Sequence, residues 1–429
     1  MKNKILVWLV AILVVALAIT LILASIWLRR NTSVLSPTPT PQQITENNEN
    51  FPEMGEDLFN GFVAKALTVP ESMKQGVFAT ARTLNLPADF DISLFATNIQ
   101  GVRFFTFDDK GDMYVAERAA GRVTLVQDTN DDGIADNISG IDSGLTNVSS
   151  VFFYKGDLYA GEEDKVEVYR NINNGQYTKK EAIIPNLPPV GGHLTRTIIV
   201  GPDNKIYVSI GSTCNVCEET EIRRAAVVRY NLDGSLDKVF ASGLRNSVGI
   251  IFHENAEGVS QLWSVDNGRD MIGDDIPPEE VNILVEDGHY GWPYCYGNGF
   301  VNPEYDPAKA SFCANETKFP AYNMQAHSAP LGLNFGPDFA GSNFPQELRN
   351  NLFIAFHGSW NRSIPTGYKV VRINTAKPGA GTVDFITGWL DSSGQVWGRP
   401  VGIGFDQNGV MYISDDQAGA IYRVTYNPK

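Results

Sequence analysis

Gly111-Asp112-Met113-Tyr114 is the first copy of a short phrase that recurs through most of this 429-residue chain. Each copy has a turn-forming or polar residue, any residue, an aliphatic residue and an aromatic residue. An apolar, strand-like segment precedes each copy, as in VRFFTF at 102–107. The further copies are GDLY at 156–159, NKIY at 204–207, SQLW at 260–263, NNLF at 350–353 and GVMY at 409–412.

The spacing of the phrase predicts the architecture. Six copies in about 340 residues give roughly 56 residues per unit, close to a four-stranded propeller blade with its loops. One blade cannot bury both of its faces, so blades must stack radially. We therefore predict an all-β, six-bladed β-propeller over residues 85–429, with a pair of β-sandwiches as the alternative. The wide interval between Trp263 and Phe353 predicts long loops over about 266–328.

Composition limits the classes of function. Hydrophobic residues make up 43% of the chain and charged residues 19%, which is enough for a packed core and excludes wholesale disorder. The 49 acidic residues outnumber the 34 basic residues and give a net charge of −15. Because phosphate contacts need clustered lysine and arginine, nucleic acid is not an expected partner. A neutral substrate or a cation suits this charge.

The first 52 residues of the chain have a different composition. Residues 5–28 are apolar except for Thr20 and Ser25, long enough for a transmembrane helix within an anchor over 1–30. A cleaved signal peptide is the alternative. Residues 31–52 are rich in proline and threonine and predict an extended linker. We expect a single-pass protein of the cell membrane with its folded domain on the extracytoplasmic side.

Residues 53–84 predict a helical segment that leads into the propeller. Their apolar positions repeat with a helical period until Pro70 ends the pattern. The residues on the predicted apolar face are Leu58, Phe59, Phe62, Val63, Ala66 and Leu67.

The chain has four cysteines, an even number that suggests disulfides in an exported protein. We predict the pairs Cys214–Cys217 and Cys295–Cys313. A zinc site is the alternative for the close pair, but the second pair is too widely spaced for the usual pattern.

Two short motifs carry groups suited to catalysis. His193 lies in GGHLTR at 191–196, where two glycines let the backbone place one imidazole at a loop tip. Arg245 and Asn246 lie in GLRN at 243–246, just before a predicted strand. The planar guanidinium suits carboxylate or quinone oxygens, and the amide can both donate and accept. A purely structural histidine and a structural turn are the alternatives.

Two acidic loops offer oxygen ligands for Ca²⁺. The first begins at DNGRD, 266–270, and continues through Asp274, Asp275 and the pair at 279–280. The second follows the first half of a calcium-binding loop and predicts a structural Ca²⁺ site, although Ser139 replaces the expected terminal glutamate. An acidic, solvated loop is the alternative in both cases. The predicted ligands of the second loop are Asp128, Asn130, Asp132 and Asp136.

Seven phrases together resemble the soluble glucose and sorbosone dehydrogenases that use pyrroloquinoline quinone. The resemblance covers about residues 85–426, and its phrases follow the family order. They are GGHLTR at 191–196, SIGSTCNVCEE at 209–219, GLRN at 243–246, VDNGRDMIGDD at 265–275, GHYGWPYCYG at 288–297, HGSWNRS at 357–363 and GRPVGIGFD at 398–406.

The resemblance implies a quinone-dependent oxidation of an aldose or related sugar aldehyde, with pyrroloquinoline quinone and Ca²⁺ as cofactors. His193 would be the general base and would take the proton from the sugar hydroxyl while hydride passes to the quinone. Arg245 would stabilise the developing charge, and Asn246 would hold the edge of the quinone. The backbone oxygens of Gly268 and Arg269 would bind the Ca²⁺ of the cofactor. The cations expected to pair with its carboxylates are Arg399, Arg362 and Lys369.

Two other functions fit the same sequence. One is a propeller that binds a glycan or a protein partner without the quinone. The other is a Ca²⁺-dependent lactonase, which needs several carboxylates around one central metal. The sequence does not specify the sugar or the electron acceptor.

Overall fold

Six antiparallel sheets form the blades of a propeller in the computed structural model, which describes residues 61–377 and 379–428. The innermost strands of the six sheets contact one another in a closed ring. The predicted six-bladed β-propeller is therefore confirmed. The predicted anchor helix over 5–28 and the linker over 31–52 lie outside the described residues. Within 61–377 and 379–428, no helix has both the length and the apolar character needed to cross a membrane.

The strands are numbered in chain order, and most blades take four consecutive strands from the centre outward. Before the first blade come β1 (Phe62–Ala66), β2 (Thr83–Pro87) and β3 (Phe90–Thr97). Blade 1 contains β4 (Val102–Phe107), β5 (Met113–Glu117), β6 (Arg122–Gln127) and β7 (Asn137–Ser143). Blade 2 contains β8 (Ser150–Tyr154), β9 (Asp157–Gly161), β10 (Val166–Arg170) and β11 (Lys179–Ile184). Blade 3 contains β12 (Arg196–Val200), β13 (Lys205–Ile210), β14 (Ala226–Asn231) and β15 (Leu236–Ser242), with β19 (Gly288–His289) at its edge.

The last three blades follow the same plan. Blade 4 contains β16 (Ser247–Glu254), β17 (Ser260–Asp266), β18 (Glu279–Leu284) and β22 (Tyr322–Met324). Blade 5 contains β23 (Pro330–Phe335), β24 (Asn351–Phe356), β25 (Lys369–Asn374) and β26 (Val383–Ile386). Blade 6 contains β27 (Pro400–Phe405), β28 (Met411–Asp415), β29 (Ala420–Tyr426) and the early strand β3.

Strand β3 closes the ring, because it pairs antiparallel with β29 over the register Phe90↔Tyr426 to Thr97↔Ala420. One blade is thus built from both ends of the propeller sequence. Phe90 is fully buried and its ring lies 5.1 Å from that of Phe385, centroid to centroid. The closing strand is therefore held by hydrogen bonds and by an aromatic core.

The direction of the strands decides where a site can form. Each innermost strand begins at the same end of the propeller, and the antiparallel second strand of each blade ends there. Residues just before a first strand and just after a second strand therefore meet at one end, although they are far apart in sequence. The recurring phrase begins the second strand of every blade and lies towards the opposite end.

The predicted helical lead-in is wrong over its described part, 61–84. The strand β1 pairs antiparallel with β2, and two 3₁₀ turns, Glu71–Met73 and Gly76–Phe78, lie between them. Tertiary contacts override the helical period here, because Asn85 in β2 exchanges backbone hydrogen bonds with Thr387 beside blade 5. Phe78 and Leu84 are buried in the same cluster as Phe90.

The predicted loops over about 266–328 contain more regular structure than expected. The outer strands β18 and β22 of blade 4 lie within that range. The excursion between them contains β20 (Cys295–Tyr296), β21 (Phe300–Val301), a 3₁₀ turn at Pro307–Lys309 and the helix α1 (Ala310–Asn315). A further 3₁₀ turn, Gln346–Leu348, precedes β24.

Both predicted disulfides are confirmed. Cys214 bonds to Cys217, and Cys295 bonds to Cys313 at the centre of the excursion from blade 4. The alternative of a zinc site at the close cysteine pair is therefore wrong, because both thiols are used in the disulfide.

Replacing Phe90 by alanine should destabilise the propeller. The ring is fully buried in the closing strand, so its removal leaves a cavity worth about 3–5 kcal/mol. Chemical denaturation of the full chain measures the loss. Phe319→Ala is the control, because this ring is 49% exposed and its loss should cost under about 1.5 kcal/mol. Equal effects of the two substitutions would contradict the role of β3 in closing the ring.

Candidate functional site

A cavity of about 410 Å³ lies at the end of the propeller where the first strands begin. It brings together five of the residues singled out from the sequence, which come from blades 3, 4 and 6 and the loops before them. These residues are His193, Arg245, Asn246, Gly268 and Arg399.

The His193 imidazole is held by one of its two nitrogens. Its Nδ1 lies 2.9 Å from the carbonyl oxygen of Ser212 and 3.0 Å from the Ser212 hydroxyl. Since a carbonyl can only accept, Nδ1 carries the proton and Nε2 is left as the basic nitrogen. Burial, followed by the charge of Arg245, lowers the pKa of His193 to about 4. The ring is therefore neutral at pH 7 and able to accept a proton.

Two buried arginines hold the loop that carries His193. Arg196 donates to the carbonyl oxygens of His193 at 3.0 Å and Pro188 at 2.7 Å. Arg224 donates to Pro188 at 2.8 Å and to Pro189 at 2.8 Å. Within 61–377 and 379–428, neither guanidinium has a carboxylate within salt-bridge distance. Both charges therefore act on the imidazole and contribute to its low pKa.

The Arg245 side chain is only 5% exposed and is fixed by several acceptors. Its Nε donates to the carbonyl oxygen of Asn215 at 3.0 Å, and Nη1 to that of Asn267 at 3.2 Å. Its Nη2 donates to Asn215 Oδ1 at 2.9 Å and to Asp270 Oδ2 at 2.8 Å. Because a guanidinium has five N–H donors, one hydrogen on Nη1 is left for a bound molecule.

A buried carboxylate fixes the backbone of the GLRN turn. Asp266 Oδ2 accepts from the Arg245 amide at 3.0 Å, and Oδ1 accepts from the Asn246 amide at 2.6 Å. Burial raises the pKa of Asp266 to about 6. The carboxylate comes from the end of β17, so blade 4 supplies both the turn and its support.

Asn246 lies beside His193 because the intervening residue is glycine. A Cβ atom on Gly211 would fall 2.6 Å from Asn246 Oδ1 and 2.6 Å from His193 Cβ. Within the described part of the chain, the Asn246 side-chain amide has no hydrogen-bond partner. Its donor and acceptor are therefore available to a molecule in the cavity.

The opposite wall of the cavity contains groups that sequence reasoning did not assign. Asp416 accepts from Arg103 Nη1 at 2.8 Å and lies 2.8 Å from His357 Nε2. Burial opposes ionisation of Asp416, but its contacts with His357 and Arg103 lower its pKa to about 2. Burial lowers the pKa of His357 to about 4. Arg103 and Asp416 lie 313 positions apart, so no local pattern could have paired them.

Arg399 enters the same wall from the loop before β27. Its Nε donates to the carbonyl oxygen of His357 at 3.0 Å, and Nη2 donates to that of Gly358 at 2.9 Å. Its remaining N–H groups are free for an anion, because no carboxylate in the described residues pairs with it. Arg399 was predicted to contact a carboxylate of the quinone, and its position suits that role.

The DNGRD turn follows β17 and contributes Asn267, Gly268 and Asp270 to the lining of the cavity. Glu279 accepts from the Gly268 amide at 2.7 Å and from the Ala329 amide at 3.0 Å. The Arg269 side chain is directed elsewhere, to Asn302 Oδ1 at 2.7 Å. The predicted Ca²⁺ role of Gly268 and Arg269 uses their backbone oxygens alone; Gly268 lines the cavity, whereas Arg269 does not.

The structure does not bring Arg362 and Lys369 into the lining of the cavity. Arg362 pairs with Asp275 at 3.2 Å. Lys369 begins β25, the third strand of blade 5 from the centre, and pairs with Asp384 at 2.6 Å. Each cation therefore already has a carboxylate of the protein as its partner.

The predicted structural Ca²⁺ loop is closed by its own hydrogen bonds. Asp128 accepts from the amide of Gly133 at 2.7 Å, and Asp136 accepts from the hydroxyl of Thr129 at 2.8 Å. Among the described residues, the one group of three or more acidic, cysteine or histidine side chains with converging ligand atoms contains the disulfide-bonded Cys214 and Cys217. The loop carboxylates do not converge in this way, and Ca²⁺ binding there stays a prediction.

Replacing Arg245 by glutamine should raise the pKa of His193. The substitution removes a nearby positive charge, and a rise of roughly one pH unit or more is expected for such a contact. Histidine NMR titration of the full chain measures it. Arg229→Gln is the control, because Arg229 pairs with Asp237 and Glu286 away from the cavity. An unchanged His193 titration in Arg245→Gln would show that the two groups do not interact.

Acidification should destabilise the protein partly through His193. Its folded pKa of about 4 lies below the ordinary value of 6.5, so between these values the unfolded chain binds more protons. The contribution of the neutral His193 to the free energy of unfolding is fully present above pH 6.5 and is lost as the pH falls towards 4. His193→Gln should therefore lose less stability than the parent chain over that interval, as measured by denaturation at each pH. Parallel curves would contradict the low pKa.

Comparison with known proteins gives the family. A family model described as TrAA12-like matches residues 84–427. An uncharacterized protein from Borreliella burgdorferi is 32% identical over 80% of this chain and 91% of its own length. The pyrroloquinoline quinone-dependent sugar dehydrogenase of Hypocrea jecorina is 24% identical over 78% of this chain and 87% of its own length. The pyrroloquinoline quinone-dependent pyranose dehydrogenase of Coprinopsis cinerea is 26% identical, but the chain spans only 39% of that protein.

Solved structures show the same fold. The holo PQQ domain of pyranose dehydrogenase from Coprinopsis cinerea has a TM-score of 0.66 at 22% identity and matches 80% of this chain and 97% of that domain. The iodide structure of the Trichoderma reesei enzyme of carbohydrate-active family AA12 has a TM-score of 0.67 at 22% identity, with the same coverage of 80% and 97%. With the family model matching nearly the whole propeller, the chain belongs to the TrAA12-like family.

Proposed function

We propose that this protein is a dehydrogenase that uses pyrroloquinoline quinone and Ca²⁺ to oxidise an aldose or a related sugar aldehyde. The observation that carries the proposal is the pairing of a neutral, basic His193 with a fixed Arg245 in one cavity. The names of several relatives point to the same cofactor and to sugars.

The residues of the cavity fit the proposed cofactor. Pyrroloquinoline quinone is planar and carries three acidic groups, so it needs several cations around a narrow space. Free donors on Arg399 and Arg245 supply this chemistry, and the unpartnered Asn246 amide supplies an edge contact. Asn361 lines the same cavity, and its buried Oδ1 has no hydrogen-bond partner among the residues that the structure describes. These groups would hold the quinone, with Ca²⁺ at the backbone oxygens of Gly268 and Arg269.

The protein groups divide the chemistry between them. The quinone, when bound, supplies an acceptor for a hydride from the sugar. The Nε2 atom of His193 takes the hydroxyl proton as that hydride leaves, and Nδ1 keeps its own proton in the hydrogen bond to the Ser212 carbonyl oxygen. Arg245 remains positively charged and stabilises negative charge that develops near its free Nη1 hydrogen.

A sugar fits the mouth of this cavity. The Trp360 indole lines the cavity and is 71% exposed, which leaves an apolar ring face accessible from solvent. Pyranose rings present apolar C–H faces that pack on such rings, while their hydroxyl groups bond to amides and carboxylates. Asp270 and Asn361 lie in the same lining and can accept from these hydroxyls.

We also propose that the enzyme is tethered to the cell membrane with the propeller on the extracytoplasmic side. The apolar stretch over 5–28 and the proline-rich linker over 31–52 support this location. The two disulfides support an oxidising compartment.

The full chain, loaded with pyrroloquinoline quinone and Ca²⁺, should reduce an artificial dye when given an aldose. His193→Ala should lower turnover by at least about 10² because the proton acceptor is lost, while the quinone still binds. His253→Ala is the matched control, since this ring stacks on Phe335 outside the cavity and should leave turnover unchanged. Dye reduction and the absorbance of the bound quinone are the two measurements.

The outcomes separate the three candidate functions. No absorbance change at micromolar quinone would favour a cofactor-free propeller that binds a glycan or a protein. Hydrolysis of a sugar lactone without quinone would favour the lactonase. Equal turnover in His193→Ala and the parent chain would remove His193 from the mechanism.

A further inference from the structure

The turn that contains the first disulfide contacts both of the proposed catalytic groups. Its start, Ser212, binds Nδ1 of His193 through its carbonyl oxygen at 2.9 Å. Asn215, three residues later, accepts from Arg245 through its carbonyl oxygen at 3.0 Å and through its side-chain Oδ1 at 2.9 Å. A single short segment therefore orients the base and the guanidinium.

Asn215 also fixes the counterion of Arg245. Its Oδ1 accepts from the Asp270 amide at 2.8 Å, and its Nδ2 donates to the Asp270 carbonyl oxygen at 3.0 Å. Asp270 in turn forms the 2.8 Å ion pair with Arg245. The carbonyl oxygen of Asn215 further accepts from Trp292 Nε1 at 3.2 Å. All the polar groups of the asparagine side chain are used to hold Arg245 or its partner.

The backbone of Asn215 has little freedom of its own. It lies inside the ring closed by Cys214 and Cys217, with Val216 as the only other residue between the cysteines. The Ser212 hydroxyl donates to the Cys214 carbonyl oxygen at 2.7 Å and ties the start of the turn to the ring. A closed ring of this size removes backbone conformations that an open turn would sample.

We propose that Asn215, held in the Cys214–Cys217 ring, is the positioning residue that fixes Arg245 beside His193 in the proposed dehydrogenase reaction. The inference rests on the proposed function for its catalytic consequence. Its structural content, the placement of one charge beside one imidazole, is independent of the quinone and the sugar.

The first test uses the full chain without quinone. In Asn215→Ala the guanidinium loses one of its four acceptors, the side-chain oxygen Oδ1, and keeps the backbone carbonyl oxygen. Its counterion Asp270 also loses both hydrogen bonds to that side chain. The charge should then move away from the imidazole, and the His193 pKa should rise by roughly one pH unit in an NMR titration. Val216→Ala is the matched control, because it lies in the same ring and its side chain makes no hydrogen bond. Its titration should match that of the parent chain.

The second test uses the quinone-loaded chain. Asn215→Ala should lower kcat about 10²-fold at saturating quinone, with the KM for the aldose within about twofold, because a misplaced guanidinium affects the transition state more than substrate binding. Quinone affinity, followed by absorbance, should fall about tenfold. Val216→Ala should change none of these values by more than about twofold.

The third variant, Cys214→Ser with Cys217→Ser, opens the ring and leaves Asn215 in place. It should shift the His193 titration in the same direction by a smaller amount. Thermal unfolding confirms that each variant is folded before it is titrated. If Asn215→Ala fails to fold, the double variant Cys214→Ser with Cys217→Ser decides the question. An unchanged His193 titration in that double variant would overturn the proposal.

The failure of this inference can be told from failure of the proposed function. If the parent chain reduces dye but Asn215→Ala behaves like Val216→Ala in both tests, the positioning role is wrong and the dehydrogenase stands. If the parent chain oxidises no aldose, the proposed function fails, and the quinone-free titration still reports whether Asn215 places Arg245.

Discussion

Hydrogen bonding between buried guanidinium groups and main-chain carbonyl oxygens is the interaction on which the candidate site depends. Loops at the end of a propeller have no sheet partners for their carbonyl groups, and buried carbonyls need donors. The buried Arg196, Arg224 and Arg245 and the half-buried Arg399 supply these donors. Because carbonyl oxygens satisfy an arginine without cancelling its charge, the loops around the cavity keep the positive charges of Arg196, Arg224 and Arg399, whereas Arg245 is also paired with Asp270.

That positive cavity exists within a strongly acidic protein, with a net charge of −15. The contrast has a chemical consequence, because the proposed anionic, planar cofactor would find in the cavity arginine donors that no carboxylate of the described residues engages, such as those of Arg399. It also sets the state of the base. Burial and three neighbouring arginines keep His193 neutral, so that it accepts a proton at the pH where most histidines are partly charged.

Short sequence motifs were enough to predict much of this site. Each group of lining residues, before a first strand or after a second strand, is continuous in sequence. His193, Arg245, Asn246, Gly268 and Arg399 could be chosen from short phrases, and all five line one cavity. The resemblance implied that Arg362 and Lys369 would pair with carboxylates of the quinone, but carboxylates of the protein itself, Asp275 and Asp384, engage them instead. The opposing pair of Arg103 and Asp416 has no local signal, because it joins the first blade to the last.

The repeat of an aliphatic and an aromatic residue at each second strand was enough to determine six blades, because each blade must bury the same positions against its neighbours. The even number of cysteines indicated two disulfides, and the two predicted pairs are the ones that form. Only the tertiary structure decided that 61–87 pairs as strands rather than forming a helix, since the competing hydrogen bonds come from blade 5. The tertiary structure also decided that Asn215 contacts Arg245. Packing of the blades around the propeller brings loops of different blades together at one end, and the sequence repeat carries no information about contacts between those loops.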